Sequence, residues 1–172
     1  AIDNSRLTVR SEEIVNLSGF QQPIRIVVDS QLRLPTNAAI LQQAGQTYIA
    51  TSAQALQAKP SVVSDLQQAG AKFITVPLKG RHLDLKFLIA QLTELDVNQV
   101  LVETGARLAG AFLQEKLVDE LEVYLAPILL GTNTQGLVEL TGVTKLAQGV
   151  QLKFISAQAV GQDWHFVLQP LN

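Results

Sequence analysis

The chemistry this sequence is equipped for begins at Glu103-Thr104-Gly105. A carboxylate, a glycine and then an incipient helix suit a phosphate-bearing ligand. Glycine lets the ligand approach the backbone, and the free N–H groups of a first helical turn attract anions. Glu103 supplies an acceptor that can orient a reacting group. From geometry alone, a ligand-free connection between a strand and a helix is an equally good reading, and a solvated Glu at a strand end is the commoner fate of that residue type.

Other chemistries find no residues to carry them. Gly105 and Gly110 have the G-x-x-x-x-G spacing, but Ala111-Phe112 follows where a Walker A loop needs Lys and Ser or Thr. No G-x-G-x-x-G run occurs, so a Rossmann fingerprint is missing. His82 and His165 are the only histidines and there is no cysteine, so no metal site is expected in this segment. His165, between Trp164 and Phe166, reads as a structural or surface residue of a strand, and His82 reads as a loop residue. A net charge of −2 offers no basic face for nucleic acid. No run of apolar residues is long enough to span a membrane. With 47% hydrophobic residues over 172 positions, the chain can bury the core of one compact domain.

The elements that must position these residues read as follows. Residues 24–28 form a continuous apolar run expected to be a fully buried strand, with Asp29-Ser30 at its end. Residues 47–50 are a second strand after the turn at Gly45, 61–68 a helix stopped by Gly70, and 72–76 a third strand ended by Pro77. Asp84 is placed to cap a helix over 85–95. A buried strand over 99–103, a helix with Leu108, Phe112 and Leu113 on its apolar side, and a strand over 121–126 would make one more βαβ unit. Residues 151–160 and 164–168 flank Gly161-Gln162 with the grammar of an antiparallel hairpin.

The run Glu-Thr-Gly-Ala-x-x-Ala-Gly followed by LVDELEVYLAPILLG resembles the reductase domain of the bifunctional riboflavin-biosynthesis deaminase/reductase. DNSRLTVR (residues 3–10), PIRIVVDSQLRLP (23–35) and GRHLDLKFLIAQL (80–92) agree with that family in order and spacing, so the resemblance covers almost the whole chain. It implies an α/β, dihydrofolate-reductase-like fold: a mixed, mostly parallel sheet flanked by helices, with a C-terminal antiparallel hairpin. It also implies NADPH-dependent reduction of 5-amino-6-(5-phosphoribosylamino)uracil. By the same resemblance Glu103 is the catalytic-centre carboxylate, and Leu7, Arg10 and Glu103 contact substrate. Asp3, Ser30, Arg33, Gly105, Ala106, Arg107, Leu108, Ala109, Gly110 and Ala111 contact the cofactor, with Arg33 offered to its 2′-phosphate. Ser5 stands where the family usually has Pro, and Thr104 where it has a small residue.

The family carries a zinc-dependent deaminase domain upstream, then an opening strand and helix of the reductase domain. Residues 1–172 are expected to be the reductase domain without these parts, and the loop carrying Asp3, Leu7 and Arg10 is expected to have nothing to anchor it. The implied partners are the phosphoribosylaminopyrimidine substrate, the deaminase domain and further copies of the chain, in the cytoplasm, with neither nucleic acid nor membrane. A reductase of the same fold acting on a pterin or related pyrimidine, or an inactive structural or dimerisation fragment, are the alternatives.

Overall fold

The computed structural model describes residues 4–171 and divides into two compact units, with the boundary between Val97 and Asn98. The first unit opens with the motif loop and a short helix, α1 (Glu12–Val15), which buries none of its side chains. Its centre is a parallel sheet of β1 (Arg25–Val28), β2 (Thr47–Thr51) and β3 (Ala71–Thr75) in the order β1-β2-β3. Crossover helices join parallel strands, and here α2 (Ala53–Ala58) and α3 (Pro60–Gln68) fill the interval between β2 and β3. Ser52 caps α2 by accepting the Ala55 N–H at 3.1 Å. Pro60 occupies the first turn of α3, where its missing donor costs nothing, and Gly70 turns the chain back with φ of 92°. The core beneath the sheet gathers Leu32, Ala38, Ile40, Leu41, Ile49, Leu66 and Ala71.

The first strand is not the apolar run that was expected. Arg25 is its buried residue, while Ile26, Val27 and Val28 are half-buried. The guanidinium is kept inside by acceptors alone. Its Nε donates to Thr47 Oγ1, and its terminal nitrogens donate to the carbonyls of Gln43, Ala44 and Gly45 at 2.7–3.1 Å. Desolvation lowers its pKa from the ordinary value, but an arginine stays charged in a protein. Arg25 thereby fastens the turn at Gly45 (φ 92°) that feeds β2.

A small hairpin of β4 (Leu78–Lys79) and β5 (His82–Leu83) turns at Gly80, so His82 lies in a short strand rather than a loop. The helix α4 (Leu85–Thr93) follows, capped as expected: the Asp84 carboxylate accepts the Phe87 N–H at 3.1 Å. Leu85, Leu88 and Leu92 form its buried stripe.

In the second unit, residues 99–103 form no strand and are exposed, with Leu101 78% accessible, contrary to the buried strand expected there. A run of Val and Leu becomes a strand only where a neighbour takes its N–H and C=O groups, and this run pairs with none among the described residues. The helix α5 (Ala106–Gln114) forms where its apolar spacing demanded, burying Ala106, Gly110, Phe112 and Leu113. Beyond it β6 (Leu121–Leu125), β7 (Leu152–Val160) and β8 (Asp163–Pro170) make an antiparallel sheet in the order β6-β8-β7. The expected βαβ unit across 99–126 is therefore not formed, because β6 takes β8 as its antiparallel neighbour. The β7–β8 hairpin is present, closed by the Val160↔Asp163 pair around Gly161 and Gln162 and bent by a bulge between Phe154 and Ser156. Inside this sheet His165 stacks on Tyr124 at 4.4 Å, and Gln158 Nε2 lies 3.3 Å from its Nδ1. Its Nε2 is 3.3 Å from Glu122 Oε2 but makes no hydrogen bond to it. Of the two readings its strand position left open, structural or surface, burial in this sheet favours the structural one.

Candidate functional site

In the first unit the motif loop is held at three points, so the expectation of an unanchored loop fails. Asn4 Oδ1 accepts the Ala39 N–H at 2.9 Å. Gln22 clasps the backbone of Val9 from both sides, accepting its N–H and donating to its carbonyl, each at 3.0 Å. Leu7, in the left-handed region with φ of 49°, is packed against the core cluster. That backbone costs a leucine roughly 1–2 kcal/mol, offset here by burial of the side chain. Arg10, on the same loop, is exposed. Asp3 lies outside the described residues.

The loop after β1 is built around Asp29. Its carboxylate accepts the backbone N–H groups of Gln31, Arg33 and Leu34, which folds residues 29–34 into a closed turn. Leu32, with φ of 52°, plugs this turn into the core at 3% exposure. Ser30 is half-buried and Arg33 is exposed. Leu32 belongs to the cluster that Leu7 packs against, so the motif loop and the strand-end loop share one foundation. Lys59 adds a brace from across the unit, donating from Nζ to Gln31 O at 2.6 Å.

In the second unit Glu103 and Thr104 are exposed in the extended run before α5. Gly105 is the N-cap of α5 and no side chain caps the helix, so donors of its opening turn are left to water or a ligand. Arg107 is exposed and pairs with Glu139 at 3.1 Å. Leu108, Ala109 and Ala111 are half-buried, whereas Ala106 and Gly110 are buried. Gly110 is there for packing, since a Cβ on it would stand 1.9 Å from the Glu139 carbonyl oxygen. The Glu139 N–H donates in turn to Ala106 O at 2.9 Å. Sequence reasoning missed Gln22, Asp29 as an organiser, Lys59 and Glu139. Only Asp29 had a signal, an Asp just past a strand, where its side chain commonly closes a turn.

Comparison with known proteins gives this architecture a family. Residues 1–166 match the model of the RibD C-terminal domain, and the chain belongs to that family. It is 40% identical to the riboflavin biosynthesis protein RibD of Escherichia coli over 168 residues, covering 94% of this chain and 44% of that protein. It is 25% identical to the 5-amino-6-(5-phosphoribosylamino)uracil reductase of Buchnera aphidicola over 175 residues, covering 98% of this chain and 81% of that one. The solved structure of Acinetobacter baumannii RibD superposes with a TM-score of 0.79 at 28% identity, over 99% of this chain and 44% of the other. The chain thus spans less than half the length of the RibD proteins it matches. The fold is the α/β, dihydrofolate-reductase-like one that the sequence resemblance implied. Reductase relatives point, in general terms, to a nucleotide cofactor. Among the described residues no helix is long and apolar enough to cross a membrane.

Proposed function

We propose that this domain reduces 5-amino-6-(5-phosphoribosylamino)uracil to its ribitylamino product, with NADPH as reductant, as a cytoplasmic enzyme of riboflavin synthesis. The observation that carries the reading is the match of residues 1–166 to the RibD C-terminal domain, with a relative named for this reaction. The donor set supports it. The uncapped start of α5 offers backbone N–H groups to phosphate, and a ligand approaching Gly105 meets only the movable end of Gln135, 3.2 Å from where a Cβ would be. Gly105, Ala106, Arg107, Leu108, Ala109, Gly110 and Ala111 take the cofactor's phosphates. Ser30 and Arg33 bind it from the loop that Asp29 closes. Asp3 is assigned to the cofactor by the family motif alone.

Arg10 binds the substrate's 5-phosphate, since a guanidinium fork matches two phosphate oxygens, and Leu7 presents a fixed apolar contact beside it. Glu103 hydrogen-bonds the sugar or pyrimidine and orients it. When bound, NADPH would supply the hydride, which the sugar C1 of the ring-opened imine would accept while the imine nitrogen takes a proton from solvent. The protein's share is position and charge. The deaminase domain of the longer relatives is the natural source of this substrate. Self-association is supported by the exposed Leu125 at the end of β6 and Ile128, Leu129 and Leu130 beyond it.

The test follows NADPH absorbance in the whole protein with the pyrimidine substrate. Substrate-dependent oxidation is expected, and its absence in a folded, NADPH-binding sample refutes the assignment. Arg10→Ala should raise KM, by an amount equivalent to about 2 kcal/mol for a lost charged hydrogen bond. Glu103→Gln should lower kcat, and wild-type kinetics in that variant would remove Glu103 from the reaction centre.

A further inference from the structure

We propose that Lys59 is a specificity-determining residue, whose ammonium group binds the 2′-phosphate that separates NADPH from NADH. The inference rests on the NADPH reading above and extends it to a residue that neither the motifs nor their spacing single out. Lys59 stands between α2 and α3, 28 positions from Gln31, and the fold brings its Nζ to within 2.6 Å of the Gln31 carbonyl. That carbonyl lies one residue from Ser30 and two from Arg33. Lys59 and Arg33 are both exposed, and among the described residues neither forms an ion pair.

The nearby carboxylate does not neutralise them. Asp29 is 8% exposed and directs its oxygens to the N–H groups of Gln31, Arg33 and Leu34. An ammonium has three donors, and the Gln31 carbonyl uses one. Two remain for an anion, at a loop that also carries Arg33. The loop that Lys59 meets is closed by Asp29 and plugged by Leu32, so its backbone adds little to the ordering that binding requires. A phosphate dianion pairs with the Lys59 ammonium, whereas a ribose 2′-hydroxyl gains almost nothing from it. The arrangement therefore discriminates between the two cofactors rather than binding both more tightly.

The experiment compares Lys59→Met and Lys59→Arg with the unaltered whole protein. Dissociation constants for NADPH and NADH come from fluorescence titration, and that for 2′,5′-ADP from calorimetry. Lys59→Met should weaken NADPH and 2′,5′-ADP roughly tenfold and leave NADH within about twofold, the loss expected for one charged contact to phosphate. Lys59→Arg should restore most of the preference. If Lys59 only braces the loop, NADPH and NADH weaken together and their ratio stands, which overturns the proposal. If the unaltered protein binds neither NADPH nor 2′,5′-ADP, the NADPH reading itself fails, an outcome separate from an unchanged ratio in a protein that binds NADPH.

Discussion

The loop over residues 29–34 and the turn over residues 105–111 are assigned the same task, holding a cofactor, and they are built in opposite ways. The first is organised by a side chain that is present. Asp29 gathers three backbone N–H groups, and Leu32 drives the loop into the core. The second is organised by a side chain that is missing. Gly110 lets the backbone of Glu139 press against α5, and the Glu139 N–H then takes the Ala106 carbonyl. A loop without regular hydrogen bonds needs an acceptor to hold it. A helix already satisfies its own backbone, so its position is set by how closely a neighbour can approach.

The contrast is broken most forcefully at Gly110. Alanine in a helix normally gains about 1 kcal/mol over glycine, but here the added methyl meets a backbone carbonyl that cannot rotate away. Gly110→Ala should lose about 3 kcal/mol in urea unfolding, the upper range for overpacking, and should weaken NADPH binding with it. A stabilised variant would show that the contact is not tight in solution. Asp29→Ala comes next. Three N–H groups lose a buried acceptor, and the expected loss is about 2–3 kcal/mol, with amide exchange accelerating at Gln31, Arg33 and Leu34. Unchanged protection at those amides would mean that Leu32 alone holds the loop.

Gln22→Ala removes both bonds to Val9 and should cost about 1 kcal/mol. Its effect on substrate KM should exceed that on cofactor binding, because Arg10 follows Val9 directly. The smallest effect sharpens the comparison. Gly105→Ala is expected to cost only about 0.5 kcal/mol, for a poorer N-cap residue, since its φ of −78° suits any residue and the neighbour is the end of Gln135. Equal damage from alanine at 105 and 110 would erase the distinction between the two glycines.

Much of the local structure could be read along the chain. Asp84 as a cap, Gly70 as a stop, the apolar spacing of α5 and the Gly161 turn each act within a few residues, where side-chain chemistry and backbone geometry decide together. The family motifs likewise lie in short runs, so DNSRLTVR and the Glu103–Gly110 segment were recognisable without a fold. Tertiary structure decided what depends on partners distant in sequence. Residues 24–28 read as a continuous apolar strand, yet its buried residue is Arg25, which the carbonyls of Gln43, Ala44 and Gly45 make a keystone. The motif loop looked unsupported, yet Gln22 and Ala39 hold it. Residues 99–103 have the composition of a strand but no ladder neighbour among the described residues, and β6 found β8 instead. Hydrophobicity and propensity are properties of a segment, whereas a hydrogen-bond partner is a property of the fold. For that reason the sequence alone determined the family and the local elements, and only the folded chain could bring Lys59 to the loop of Ser30 and Arg33.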